Sequence, residues 1–145
     1  MMINQTRSLV ALAAAGLLVA SAPAFADSMT FMAEMNAASE VPPTASKGTG
    51  TVTATYDTAT KVLTWKGTYS GLTGNAVAAH FHGPAPVGKS AGVEVPIAKA
   101  GSPFEGTATL TDAQAKDLAA GMFYVNVHTA ANPDGEIRGQ VVAGK

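Results

Sequence analysis

The sequence predicts an all-β protein, an antiparallel sandwich or barrel of about seven or eight short strands with one short helix. Apolar or small residues alternate with polar ones along most of the chain, as they do on strands whose successive side chains point to opposite faces. Glycine, proline and asparagine cluster between these stretches, where turns are expected. A single capping pattern marks the helix.

The alternation places the strands in order along the chain. The first ends before Pro42 and Pro43, which cannot both donate to a ladder, and another ends at Gly83-Pro84. The turn sequence AANPDG (130–135) joins the last two strands as neighbours. The predicted strands cover residues 29–35, 48–57, 61–71, 75–82, 92–98, 103–110, 122–129 and 136–143.

One segment departs from the period of two and predicts a helix over about residues 112–120. Thr111 is placed as the N-cap and Gln114 follows three residues later, the spacing of a capping box. Gly121 stands where a helix commonly ends in a left-handed residue. The helix is therefore expected to connect two strands.

The first 26 residues are interpreted as a secretory signal peptide. One positive charge at Arg7, the apolar run 8–22 and the small-x-small site Ala24-Phe25-Ala26 form the usual pattern, with cleavage after Ala26. The apolar run is short for a membrane span. The expected mature protein, residues 27–145, is one exported domain, periplasmic or secreted.

Composition excludes several classes of function. Without Arg7, eight basic residues oppose ten acidic ones, and Arg138 is the remaining arginine, so nucleic acid is not an expected partner. The sequence contains no cysteine, which excludes disulfides, thiolate metal ligands and cysteine catalysis. A metal ion would therefore need histidine, carboxylate, methionine or backbone oxygen as ligands.

Four separate motifs resemble those of the CHRD domain, the module named after chordin. They are Glu40-Val41-Pro42-Pro43, His80-x-His82-Gly83-Pro84, the segment 124–129 (YVNVHT) and the segment 135–139 (GEIRG). The resemblance extends over residues 29–143 and implies an immunoglobulin-like β-sandwich similar to copper-zinc superoxide dismutases. It also implies a single exported domain, but it does not indicate a particular biochemical activity.

All three histidines are predicted to lie on one polar sheet face. Alternation gives His80 and His82 the same face of their strand and directs Phe81 to the core. By the same reasoning, the polar sides of the last two strands carry Tyr124, Asn126, His128, Glu136 and Arg138. The residues converge if the His80 strand lies beside these two strands, which is an assumption at this point.

This convergence predicts a copper or zinc site with His80, His82 and His128 as ligands. Glu136 is expected to be a fourth ligand or the acceptor that fixes a histidine tautomer. Arg138 would pair with Glu136 or with an anion, and Tyr124 and Asn126 would belong to the surrounding patch. Glu40 would be solvated or would reach towards the same face.

Two alternatives to metal binding remain open on the sequence. The polar face could be the surface of a structural or adhesive module that binds an extracytoplasmic protein or a polysaccharide without a metal. A metalloenzyme with a single open-site ion is the third possibility, for which Glu136 is the evident general acid or base. We expect a binding domain and not an enzyme.

Overall fold

The structure is a computed structural model that describes residues 27–145, so the signal-peptide segment 1–26 lies outside the described residues. Nine strands and one helix form within the described part. They are β1 (Ser28–Asn36), β2 (Thr49–Asp57), β3 (Val62–Ser70), β4 (Ala76–His82), β5 (Val93–Pro96), β6 (Phe104–Thr109), α1 (Asp112–Ala119), β7 (Tyr124–Thr129), β8 (Ile137–Gln140) and β9 (Val142–Ala143). A short 3₁₀ turn (Ala37–Ser39) follows β1.

The predicted antiparallel all-β fold with one helix is confirmed. The strands form one sheet in the order β5-β4-β7-β8-β1-β2-β3-β6, and β9 pairs with β1. The last predicted strand is divided into β8 and β9 around the buried Val141. Thr111 and Gln114 form the predicted capping box of α1.

The sheet curls into a nearly closed, barrel-like shape. β3 and β4 are separated by four strands in the sheet order. Nevertheless, Trp65 on β3 and Phe81 on β4 meet edge to face across the interior, with their ring centroids 5.2 Å apart. Aromatic pairs favour this arrangement because the positive ring edge meets the negative ring face. Phe81 is completely buried, as the alternation of β4 predicts.

The segment of the sheet that positions the polar residues is β4-β7-β8. Every residue of β7 is buried, because the apolar core covers one of its faces and polar side chains cover the other. Val125 and Val127 contribute to the core. In the part of the chain that the structure describes, no helix has the length and apolar character needed to cross a membrane.

We expect Phe81→Ala to lower the free energy of unfolding by about 3–5 kcal/mol, because it leaves a cavity against Trp65. Val87→Ala is the control: Val87 is 79% exposed, and its truncation should change the free energy by no more than about 0.5 kcal/mol. Urea denaturation measures both. Equal small effects for the two variants would contradict the packing described for Phe81.

Candidate metal centre

The strand register brings the predicted polar residues together. β4 pairs with β7, which places His80 opposite Asn126, and β7 pairs with β8, which places Asn126 opposite Arg138. His82 lies two residues further along β4, opposite Tyr124. His128 lies on the other side of the His80–Asn126 pair, opposite Ala78. The adjacency of these strands, assumed from the sequence, is present in the structure.

The three histidines form one compact cluster. One ring nitrogen from each of His80, His82 and His128 lies within 4.8 Å of the others. His80 Nδ1 is 3.1 Å from His128 Nε2, and the His80 and His82 rings meet edge to face at 5.4 Å between centroids. His82 and His128 are buried, whereas His80 is half-buried. The cluster therefore has two interior imidazoles and one close to solvent.

Backbone carbonyls fix the tautomers of the two interior imidazoles. His82 Nδ1 is 3.1 Å from the carbonyl oxygen of Ala91, and His128 Nδ1 is 2.8 Å from that of Pro133. A carbonyl oxygen can only accept, so each Nδ1 carries the proton and donates it. In the neutral rings, the lone pair is then on Nε2, the atom that faces the cluster. Metal-binding histidines commonly have their second nitrogen bonded in this way.

The surroundings also favour neutral imidazoles. Burial lowers the pKa of His80, and the neighbouring His128 and His82 lower it further. Burial likewise lowers the pKa of His82, against hydrogen bonds with Ala91 and Asn126 that raise it. A neutral imidazole is the form that binds a metal ion, so the lowered pKa values of His80 and His82 would reduce the competition of protons with a bound ion.

Arg138 pairs with Glu40 and not with Glu136, which was one of its two expected partners. Arg138 Nε donates to Glu40 Oε2 at 3.0 Å, and both residues are buried. Glu40 thus reaches the polar face from the turn after β1, which is one of its two predicted positions. Burial raises the pKa of Glu40, and the adjacent guanidinium opposes that rise.

The polar face is an interior layer, and not the outer surface that alternation alone suggested. The loop 83–92 after β4 lies over it: Arg138 donates to the carbonyl of Lys89 at 3.0 Å and to Ser90 Oγ at 3.3 Å. The Tyr124 hydroxyl bonds both the N–H and the carbonyl of Ala91. Buried polar groups require such partners, because leaving them unpaired is costly.

Tyr124 connects the guanidinium to the histidine cluster. Arg138 Cζ lies 3.9 Å from the centre of the Tyr124 ring, within the range of a cation–π contact. The His82 ring stacks on the same phenol ring with parallel planes, 4.8 Å between centroids. Tyr124 therefore separates the fixed positive charge of Arg138 from the imidazole of His82, which reduces the repulsion that a bound cation would meet.

Glu136 does not join the histidine cluster, and its expected role as a fourth ligand or histidine acceptor is not supported by its contacts. Its carboxylate accepts hydrogen bonds from the side chains of Ser46, Thr73, Thr129 and Asn132 and from the backbone N–H of Thr73. β8 begins only at Ile137, and the preceding Gly135 has a positive φ of 128°. The strand alternation therefore stops short of Glu136.

Several groups that complete the histidine cluster or hold Glu136 away from it carry no signal in the sequence. The carbonyl oxygens of Ala91 and Pro133 come from the backbone, which every residue type supplies. Ser46 and Thr73, the partners of Glu136, lie in loops far from it along the chain. The AANPDG turn located Pro133 close to His128, but nothing in its residue types predicted the hydrogen bond.

Comparisons with known proteins agree with the motifs. The family model of the CHRD domain matches residues 31–141, which include every strand of the cluster. Neither the comparison with curated proteins nor the comparison with solved structures finds a match.

We expect the hydrogen bonds of Glu136 to stabilise the fold in a pH-dependent way. Burial raises the pKa of this carboxyl, but the bonds from Ser46, Thr129 and Thr73 outweigh burial and lower the pKa from 4.5 to about 2. The stabilisation is therefore complete above the unfolded value of 4.5 and is lost as the pH falls towards 2. The shift corresponds to about 3 kcal/mol at neutral pH.

Glu136→Gln should lose this stability at pH 7 and show a flatter pH profile in denaturant unfolding at pH 2–7. Glu105→Gln, at an exposed position on β6, should keep the wild-type profile. Parallel profiles for wild type and Glu136→Gln would show that the carboxylate does not carry the acid sensitivity.

Proposed function

The chain belongs to the CHRD domain family, and from this premise we propose that it is an exported binding domain that coordinates copper or zinc through His80, His82 and His128. The observation that carries the proposal is the convergence of three imidazole nitrogens within 4.8 Å. Imidazole suits both metals, and copper is plausible for an exported protein. Export itself is proposed from the pattern of residues 1–26.

The separations suit a metal ion. Ligand nitrogens at about 2.0–2.1 Å from an ion lie at most about 4.2 Å from one another. The cluster needs only small side-chain adjustments to reach that spacing. The half-buried His80 supports entry of an ion from its side, while the carbonyls of Ala91 and Pro133 hold the other two rings in place.

Binding is proposed in preference to catalysis. The sequence offered Glu136 as a general acid or base, but hydroxyl donors hold that carboxylate and its pKa is about 2. Glu40, the other nearby carboxylate, is paired with Arg138. Because Glu136 is ionised throughout the neutral range and Glu40 is committed to a buried ion pair, neither carboxylate is well suited to exchange protons with a substrate.

The adhesive alternative loses its main support. It treated Arg138 and the histidines as a surface patch, yet Arg138 is 5% exposed and His82 and His128 are each 8% exposed.

The immunoglobulin-like or superoxide-dismutase-like sandwich remains part of the proposal. The contact between Trp65 and Phe81 places opposite sides of the curled sheet face to face, as a sandwich requires and a barrel also allows.

Calorimetry with metal-free protein tests the proposal. We expect one equivalent of Zn²⁺ or Cu²⁺ to bind with Kd below about 1 μM. Truncating two ligands in His80→Ala/His128→Ala should weaken binding by about 100-fold or more. Lys66→Ala, at an exposed position on β3, is the control and should bind as the wild type does.

Circular dichroism establishes that each variant is folded. Wild-type binding no tighter than about 1 mM, or equal binding by the folded double variant, would overturn the proposed function.

A further inference from the structure

Asn126 lies at the centre of the histidine cluster. Its side chain is on β7 between Tyr124 and His128 and is 1% exposed. Its Oδ1 atom is 2.9 Å from His82 Nε2 and 3.0 Å from His128 Nε2. The amide oxygen therefore contacts the two Nε2 atoms that remain available to an ion, because the backbone carbonyls bond only the Nδ1 atoms.

These contacts bring together atoms that all carry lone pairs. The Nδ1–H groups of His82 and His128 donate to the carbonyls of Ala91 and Pro133. Both Nε2 atoms of the neutral rings are therefore acceptors, as is an amide oxygen. His80 Nδ1, 3.1 Å from His128 Nε2, can supply one proton to the group. The contact between Asn126 Oδ1 and His82 Nε2 still has no proton between its two atoms. A cation among these atoms would be bound by both Nε2 lone pairs and the amide oxygen, and by His80 Nδ1 in the tautomer that carries its proton on Nε2.

Glu40 disfavours the opposite orientation of the amide. A Cβ atom at Gly135 would meet both Asn126 Nδ2 and Glu40 Oε1, so the amide nitrogen lies on the Glu40 side. Glu40 Oε1 is buried and has no hydrogen-bond partner among residues 27–145. Turning the amide would direct its oxygen at this carboxylate, which is electrostatically unfavourable. The pair of Arg138 and Glu40 thus helps to direct Asn126 Oδ1 towards the histidines.

We infer that Asn126 Oδ1 is the fourth ligand of an ion held by His80, His82 and His128, and that this donor set favours divalent Zn²⁺ or Cu²⁺ over Cu⁺. The inference rests on the proposed function. Neighbouring ligands at about 2.0–2.1 Å from an ion are separated by about 2.9–3.4 Å. The contacts of 2.9, 3.0 and 3.1 Å fall in that range. Cu⁺ prefers soft sulfur ligands, whereas an amide oxygen suits a harder divalent ion.

Metal competition with Asn126→Ala tests the inference. The affinity for Zn²⁺ should fall by about 10–100-fold, the loss of one oxygen ligand, while the affinity for Cu⁺ stays within about threefold. Asn126→Asp, which keeps the shape and supplies a carboxylate oxygen, should bind Zn²⁺ at least as tightly as the wild type. Asn75→Ala is the matched control, because Asn75 is exposed in the loop just before β4.

The visible spectrum of the Co²⁺-loaded protein provides a second readout. It should change in Asn126→Ala, because the coordination shell changes, and should be unaltered in Asn75→Ala. Equal losses of Zn²⁺ and Cu⁺ affinity in Asn126→Ala with an unchanged Co²⁺ spectrum would reduce Asn126 to a positioning residue and overturn the inference. Unaltered Zn²⁺ affinity in both Asn126 variants would overturn it as well.

The two proposals fail in distinguishable ways. If the wild type binds Zn²⁺ and the histidine variants do not, the proposed function stands whatever Asn126→Ala shows. Absence of Zn²⁺ binding by the wild type overturns the proposed function, and with it the role of Asn126.

Discussion

The burial of β7 on both faces is the constraint on which the rest of the molecule depends. Val125 and Val127 enter the apolar core, so Asn126 and His128 must point into the opposite layer, which is also closed. Polar groups in a closed layer need partners. The neighbouring strands β4 and β8 and the loop 83–92 supply them, and the same closure that buries these side chains creates the candidate metal centre.

The buried pair of Glu40 and Arg138 acts mainly on geometry. Removing two charges from water costs energy that their attraction only partly returns, so such a pair is weak evidence for stability. Here it fixes the side of Asn126 that faces the histidines, and it holds the guanidinium over Tyr124. The pair thus helps to orient the atoms proposed as ligands, a role that groups around a metal site often have.

The sequence predicted the elements better than their surroundings. Period-two alternation located the strands and assigned His80, His82 and His128 to one face, because side-chain direction is a local property of a strand. It could not show that this face is covered, since the covering contacts come from backbone atoms of Lys89 and Ala91 and from the Ser90 hydroxyl, in a loop without periodicity. Alternation also failed at Glu136, where the positive φ of Gly135 ends the regular strand geometry.

The central claim is that an ion is held by imidazole nitrogens in this closed layer. X-ray absorption spectroscopy of the zinc-loaded protein tests it most directly, because scattering from imidazole rings counts the histidine ligands. Three imidazoles and one oxygen at about 2.0–2.1 Å are predicted. A shell of oxygen atoms without imidazole scattering would contradict the account.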